Sequence, residues 1–266
     1  MAFSWEISSF RDLGEVMSFR RFWQNSVVAV FCAASLGAAA PSQAGVVVSA
    51  TRVVYSSDSR EVSVRLTNEG GSPVLVQTWL DTGDEAAKPE ALQVPFTLAP
   101  PVFRMNPGRG QTIRMMYTKE PLPQDRETVF WLNVLEIPPK VKGADGANHL
   151  QVAFRSRIKV FFRPKGLAGT PDEAPSKVIW SVVPMSDGGG YGLKATNPTP
   201  YAVSYGKVSL ESGGQSLEAQ STMVLPDTSR VFPLTGGKGR PSGGAKVSYQ
   251  YIDDFGAVRD GSSVVN

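Results

Sequence analysis

The chain has 266 residues, of which 41% are hydrophobic and 19% are charged, and its net charge is +3. This length and composition fit a globular protein of one or two packed domains and exclude a fibrous or disordered chain. The small positive charge falls short of the concentrated basic surface of nucleic-acid-binding proteins, so we expect no nucleic-acid partner. One cysteine, Cys32, and one histidine, His149, are too few for a zinc, copper or iron site, and we expect no metal or cofactor.

The N-terminal segment has the pattern of a signal peptide, with Met17 as a possible true start. Two arginines at positions 20 and 21 precede an apolar stretch over residues 27–40, and Ser42-Gln43-Ala44 is a small-x-small cleavage site. The apolar stretch is shorter than the roughly 20 residues of a membrane-spanning helix. We therefore predict that residues 1–44 direct export and that the chain does not insert into a membrane.

The next part of the chain shows short alternating segments separated by turn residues, and it has no helical period. Residues 61–68 and 74–80, joined across a Gly-Gly turn, are predicted to form a hairpin. The pattern of short strands is typical of an immunoglobulin-like β-sandwich. The predicted strands are residues 46–55, 61–68, 74–80, 96–98, 102–105, 111–118, 122–138 and 149–164.

The last of these segments, residues 149–164, is unusually long for a strand, and one of its faces is almost entirely apolar. The apolar face carries Leu150, Val152 and Phe154, and continues to Phe162, while the other face carries Arg155, Arg157 and Lys159. Proteins usually avoid exposing a greasy strand at a sheet edge. This strand is therefore predicted either to be covered by another part of the chain or to cover a partner.

A second, smaller β-sandwich is predicted in the remainder of the chain. Residues 165–175 have the composition of a linker, which places an N-terminal domain at 45–164 and a C-terminal domain at 176–266. The predicted strands of the second domain are residues 177–183, 191–196, 202–210, 222–225, 230–233 and 246–252. The fold class is thus all-β, with two sandwiches.

Catalytic chemistry finds little support in the sequence. A Ser-His-Asp arrangement would need His149 as its base, and this residue stands alone where a predicted loop meets the long strand. The neighbouring acids Asp253 and Asp254 would point to opposite faces of a strand, which makes them poor partners in a glycosidase site. We therefore expect the protein not to be an enzyme.

Arg52, in the middle of the first strand, is either a charge that protects a sheet edge or an anion-binding side chain.

Residues 122–138 resemble the signature of the periplasmic pilus chaperones of the chaperone/usher pathway. The matching positions are Leu122-Pro123, Asp125-Arg126-Glu127-Thr128, Trp131, Asn133-Val134 and Ile137-Pro138. Further segments similar to that family lie near Arg52, in the strand over residues 149–164, at residues 197–201 and at residues 253–256.

The resemblance implies two immunoglobulin-like domains in a boomerang arrangement, with fimbrial subunits bound in the cleft. It implies that Arg52 and Lys159 anchor the C-terminal carboxylate of a subunit. It also implies that the long strand completes the subunit's sandwich, the mode of strand addition for which pilus chaperones are already known. Two further sets of residues are implied: the donor side chains Leu150, Val152 and Phe154, and an interdomain charge triad of Glu127, Arg163 and Asp254.

The function expected from this resemblance is that of a periplasmic chaperone. It would bind, fold and cap pilin subunits by donor-strand complementation and deliver them to an outer-membrane usher. The alternative is a secreted β-sandwich adhesin or carbohydrate-binding protein, which should show an aromatic-lined pocket rather than a greasy edge strand. A hydrolase on a sandwich scaffold is a third possibility, and it lacks a catalytic constellation in the sequence.

Overall fold

A computed structural model describes residues 45–139, 151–185, 190–220, 222–235, 241 and 244–265. The predicted signal peptide lies outside these residues, as do His149 and Leu150. None of the described helices is both long enough and apolar enough to cross a membrane.

The first sandwich is built from two sheets of short strands. Its strands are β1 (Val46–Val48), β2 (Arg52–Ser56), β3 (Val62–Asn68), β4 (Val74–Asp81), β5 (Phe96–Ala99), β6 (Val102–Met105), β7 (Gly110–Tyr117), β8 (Thr128–Ile137) and β9 (Phe154–Arg163), with a 3-10 helix at Pro89–Ala91. One sheet has the order β1-β3-β7-β5 and the other β2-β9-β8-β4-β6. Alternating apolar residues of both sheets meet in one core, which contains Tyr55, Leu66, Val76, Ile113, Leu132 and Phe162.

The predicted first strand is divided in the structure, because the chain changes sheets within it. β1 pairs with β3, whereas β2 pairs in parallel with β9 in the opposite sheet. Residues 49–51 make the crossing. The apolar side chains on both sides of the crossing still face the same core, so alternation alone did not reveal the break.

The predicted hairpin between residues 61–68 and 74–80 is wrong. β3 and β4 are real strands, but they lie in opposite sheets and do not pair with each other. The buried side chain of Asn68 organises the crossing: its Nδ2 donates to the carbonyl oxygens of Ser72 and Met105, and its Oδ1 accepts from the amide of Gly70. These bonds replace the ladder that a hairpin would supply.

The second sandwich packs around a separate aromatic core. Its strands are β10 (Ile179–Pro184), β11 (Tyr191–Asn197), β12 (Val203–Ser212), β13 (Gln215–Ala219), β14 (Met223–Val224), β15 (Thr228–Pro233), β16 (Lys246–Ile252) and β17 (Val258–Val264). One sheet has the order β10-β11-β15, and the other has the order β13-β12-β16-β17 with β14 also on β12. Trp180, Tyr205, Phe232 and Tyr249 form the centre of the core.

Parts of the second sandwich were not expected from the sequence. β13 and β17 were missed, because both are mostly exposed and polar and so lack an apolar face. A short helix at Ala174–Lys177 begins within the predicted linker, and Leu167 and Ala174 of that linker both pack with the second core.

The long apolar strand predicted at residues 149–164 is shorter in the structure, since β9 begins at Phe154 and residues 151–153 are not in a strand. Its pairing with β8 ends at the Glu136–Phe154 pair, and β8 ends one residue later at Ile137. Pro138 and Pro139 come next, and proline has no amide hydrogen to donate to a ladder. The described residues before Phe154 therefore have no partner strand.

The two sandwiches contact each other directly. Val129 and Phe161 of the first form a small apolar cluster with Met223 of the second. The amide of Glu127 donates to the carbonyl of Pro200 at 2.9 Å. This contact region brings β9 beside the second sandwich.

Candidate functional site

Arg52 and Lys159 lie directly opposite each other on adjacent parallel strands. Both side chains point away from the first core, because their neighbours Val53 and Val160 are buried in it. The strand pairing alone thus places two cationic side chains side by side, next to the second sandwich.

The guanidinium of Arg52 is half-buried and only partly satisfied. Its Nη1 donates to the carbonyl of Ile252 at 2.7 Å, and its Cζ lies 5.7 Å from the ring centroid of Phe161. Its Nε is buried and has no hydrogen-bond partner within the described part of the chain. Burial lowers the pKa of Arg52, while the charges of Asp254 and Asp253 act in the opposite direction.

Lys159 is tied to the second sandwich by one neutral hydrogen bond. Its Nζ donates to Oγ of Ser204 at 3.1 Å, and Ser204 is buried. Burial and, to a lesser degree, the charge of Arg52 lower the pKa of Lys159 to about 8. No carboxylate among the described residues forms an ion pair with Lys159 or Arg52 within 4.0 Å. Two partly buried cations without a counter-ion form a good site for a carboxylate.

The acids that line the cleft beside Arg52 are engaged elsewhere. Asp253 accepts from Arg259 and from backbone amides of its own turn, and Asp254 forms a bidentate pair with Arg163 at 2.6 and 2.9 Å. Their carboxylates therefore form no direct ion pair with Arg52 or Lys159. The cleft is lined by Arg52, Phe161, Ala202, Ser204, Ile252, Asp253 and Asp254, together with other residues of both sandwiches.

Glu127, Arg163 and Asp254, named from the resemblance, are brought together by the structure. Nε of Arg163 donates to Glu127 at 2.6 Å, while its two terminal nitrogens bond Asp254. The second carboxylate oxygen of Glu127 accepts from the amide of Ala202 at 2.8 Å. Both carboxylates raise the pKa of Arg163 against the opposing effect of its burial, so it stays protonated. One guanidinium thus links a strand of the first sandwich to a turn of the second.

Two of the three predicted donor side chains, Val152 and Phe154, lie within the described residues and are exposed. Their exposed fractions are 47% and 65%, and Leu150 lies outside the described residues. β9 is paired with β8 over residues 154–162 on one edge, but with β2 only over residues 159–163 on the other. Residues 154–158 therefore present an edge without a partner in the described chain, and this edge ends beside Lys159 and Arg52.

A cluster on the same outer face of the sheet as Lys159 was not expected from the sequence. Arg157 forms a bidentate pair with the buried carboxylate of Asp81, bonds Glu85 at 2.9 Å, and lies 4.8 Å from the ring centroid of Trp131. Asn133 also donates to Asp81 at 2.6 Å. Although burial raises the pKa of Asp81, the bonds from Arg157 and Asn133 hold it below its ordinary value. The alternation had placed Arg157 on the polar face without indicating a partner.

Ser204 and the carbonyl of Ile252 were also missed. A backbone carbonyl has no signature in a sequence, and a serine within a strand has an ordinary structural explanation. The only available signal was the position of Ser204 just after the family-like segment at residues 197–201. Among the described residues there is no group of three or more histidines, cysteines and acids that could hold a metal ion.

Comparisons with family models match almost the whole described chain. Residues 45–168 match "Pili and flagellar-assembly chaperone, PapD N-terminal domain", and residues 173–263 match "Pili assembly chaperone PapD, C-terminal domain". The chain therefore belongs to the PapD family of pilus assembly chaperones, and the resemblance inferred from residues 122–138 is confirmed.

Individual relatives agree with this family. The chain is 47% identical over 225 residues to the probable fimbrial chaperone YadV of Escherichia coli K12, covering 84% of this chain and 90% of the relative. It is 42% identical over 236 residues to the chaperone protein FimB/FhaD of Bordetella pertussis, covering 87% and 93%. The alternative of an adhesin or carbohydrate-binding protein is not favoured.

Solved structures match the fold as well. The crystal structure of the YadV chaperone gives a TM-score of 0.72 at 44% identity, covering 84% of this chain and all of that one. A Salmonella enterica SafB chaperone in complex with the SafA pilin gives a TM-score of 0.68 at 25% identity, covering 85% and 99%. The expected pair of immunoglobulin-like domains is thereby confirmed.

Proposed function

We propose that this protein is a periplasmic chaperone that binds and caps pilin subunits through β9 and delivers them to an outer-membrane usher. It acts by binding rather than by catalysis. The family membership and the likeness to a chaperone solved with its pilin support a pilin client, and the signal-peptide pattern of residues 1–44 supports export.

The unpaired edge of β9 beside two cations is the observation that carries this proposal. A client strand added along residues 154–158 would complete the ladder on that edge. If the client's terminal carboxylate binds Arg52 and Lys159, its last strand must run parallel to β9, because the cations lie at the C-terminal side of the open edge. The client strand would end where β2 begins, so the client strand and β2 would lie end to end along the same edge of β9.

The exposed side chains next to this edge supply the client's missing apolar contacts. Val152 and Phe154 are not covered by the described chain, so they can enter an apolar groove in a partner. Full burial of two such side chains contributes roughly 3 to 6 kcal/mol before association costs. The cations then fix the register, because a carboxylate held by charge-assisted hydrogen bonds allows only one alignment.

The charge triad of Glu127, Arg163 and Asp254 would keep the proposed anchor residues, Arg52 and Lys159, in position. Arg52 and Lys159 belong to the first sandwich, yet each donates a hydrogen bond to the second. Arg163, bound to both Glu127 and Asp254, would keep the two sandwiches in the orientation that these bonds require. The family membership supports delivery to an usher, and no contact of the described residues is assigned to that step.

Periplasmic co-expression with a pilin subunit tests the anchor. We expect Arg52→Ala and Lys159→Ala each to reduce recovered subunit by more than about tenfold, because removing one member of a buried charged contact typically costs at least 2 kcal/mol. Arg104→Ala and Lys207→Ala are matched controls on exposed positions and should leave recovery unchanged. Undiminished recovery in both anchor variants would contradict the proposal.

A further inference from the structure

The turn between β16 and β17 displays a phenylalanine almost completely to solvent. Phe255 is 94% exposed, whereas the next most exposed large apolar side chain among the described residues, Val264, is 70% exposed. A single exposed apolar residue is ordinary on a protein surface. Phe255 differs in the structure of its turn and in its position.

The backbone of the turn that carries Phe255 is held by several hydrogen bonds. One carboxylate oxygen of Asp253 accepts from the amides of Phe255 and Ala257 at 3.0 and 2.8 Å, and the other accepts from Arg259 at 2.9 Å. The backbone of Asp253 also bonds both Ala257 and Gly256. A backbone that is already ordered loses little further conformational entropy when a partner covers the turn.

The turn and the end of β16 that leads into it contact the first sandwich at three points. The carbonyl of Ile252 accepts from Arg52, and the carboxylate of Asp254 holds Arg163. Gly256, with a φ of +85°, packs so closely on Thr51 that a Cβ there would collide with Oγ1 of Thr51. The backbone that carries Phe255 thus lies close to Thr51, the residue that precedes Arg52.

We propose that Phe255 is a contact for the client subunit, covering apolar residues close to the client's terminal carboxylate. The inference rests on the proposed function, because it takes the carboxylate to bind Arg52 and Lys159. A client strand that ends at this pair must pass near the turn that holds Arg52. Phe255 would then extend the client contact from β9 to the second sandwich and favour subunits with apolar residues at that place.

A peptide-binding measurement tests this inference. The probe is a fluorescent 15-residue peptide of alternating valine and threonine with a lysine pair at its N-terminus, made with a free C-terminal carboxylate and as the amide. We expect the chain without residues 1–44 to prefer the free acid, and Phe255→Ser to weaken binding of both forms by about tenfold with the preference retained. Phe255→Leu should stay within about threefold of wild type, since it keeps an apolar side chain.

Val264→Ser is the matched control, because Val264 is exposed on β17 at the end far from the turn. It should bind both peptides like wild type. Unchanged affinity in Phe255→Ser, with the acid preference intact, would overturn the inference and leave the proposed function standing. If Phe255→Ser also forms less dimer than wild type in analytical ultracentrifugation, Phe255 would instead be a contact with a second copy of the chain. No acid preference in wild type would contradict the anchor and overturn both proposals.

Discussion

Lys159 is the residue whose chemistry differs most from its ordinary behaviour. A lysine in water keeps its charge well above pH 9, but burial and the neighbouring Arg52 lower the pKa of Lys159 to about 8. Its single described hydrogen bond is to a serine hydroxyl, which does not restore the charged form as a carboxylate would. A client carboxylate would supply that missing partner.

Client affinity should therefore depend on pH above about 8. Below that value the amine is already charged and affinity is flat; above it, binding must first take up a proton, and affinity falls by up to about tenfold per pH unit. Titration of client binding from pH 7 to 10 measures this. Lys159→Arg stays charged and should remove the dependence. A flat wild-type profile, or the same slope in Lys159→Arg, would contradict the role of Lys159.

The stability of the free chain should change in the opposite direction. The folded pKa of Lys159, about 8, lies below the ordinary 10.5, so the unfolded chain binds more protons between these values. The contribution of Lys159 to the free energy of unfolding thus rises with pH in that window. Falling client affinity can therefore not be attributed to Lys159 weakening the fold.

At the scale of elements, β9 has an unpaired edge at residues 154–158, while its Arg157 side chain forms ion pairs on the outer face of the sheet. Arg157 ties the strand to Asp81 on β4 across β8, and to Glu85 in the following loop. Its side chain is 14% exposed and that of Asp81 is 2% exposed. Removing one partner of such a pair leaves a buried charge without compensation.

We expect Arg157→Met to lower the free energy of unfolding by about 3 kcal/mol, measured by urea denaturation. Adding Asp81→Asn should recover part of this loss, since the unpaired carboxylate is then absent. The control is Arg114→Met, whose exposed pair with Glu61 at 3.8 Å should contribute less than about 1 kcal/mol. Equal losses in the two single variants would show that Arg157 does not brace β9.

Alternation in the sequence predicted most strands but not their partners. It placed β3, β7 and β16 correctly, because each has one apolar face and one polar face. It could not show that β3 and β4 lie in different sheets, since both sheets of a sandwich bury their alternate residues in the same core. It also missed β17, whose side chains are mostly exposed and polar on an edge strand.

The site was predicted only where a motif or a resemblance named its residues. Arg52 was left by its pattern as either an edge charge or an anion-binding group, and the resemblance provided its proposed role. The structure adds that Arg52 and Lys159 are adjacent in register. Ser204, Asp81 and the carbonyl of Ile252 depend on contacts between residues far apart in sequence, which no local pattern encodes.

At the scale of the whole molecule, Arg52 and Lys159 lie where the two separately packed sandwiches meet. The first core centres on Phe162 and the second on Trp180, and both are fully buried. Phe161, one residue from the first core, instead packs on Met223 of the second sandwich. Neighbouring side chains of β9 thus pack alternately in the first core and against the second sandwich. The strand that would bind the client is therefore also in contact with the second sandwich.

Amide hydrogen exchange over residues 154–158, with and without a co-expressed pilin subunit, tests the central claim most directly. In the free chain, amides here that do not bond β8 should exchange rapidly, because this edge has no partner in the described chain. Client binding should slow these amides by at least about a hundredfold, and Arg52→Ala should remove much of that protection. Unchanged exchange at residues 154–158 in a verified complex would contradict strand addition on β9.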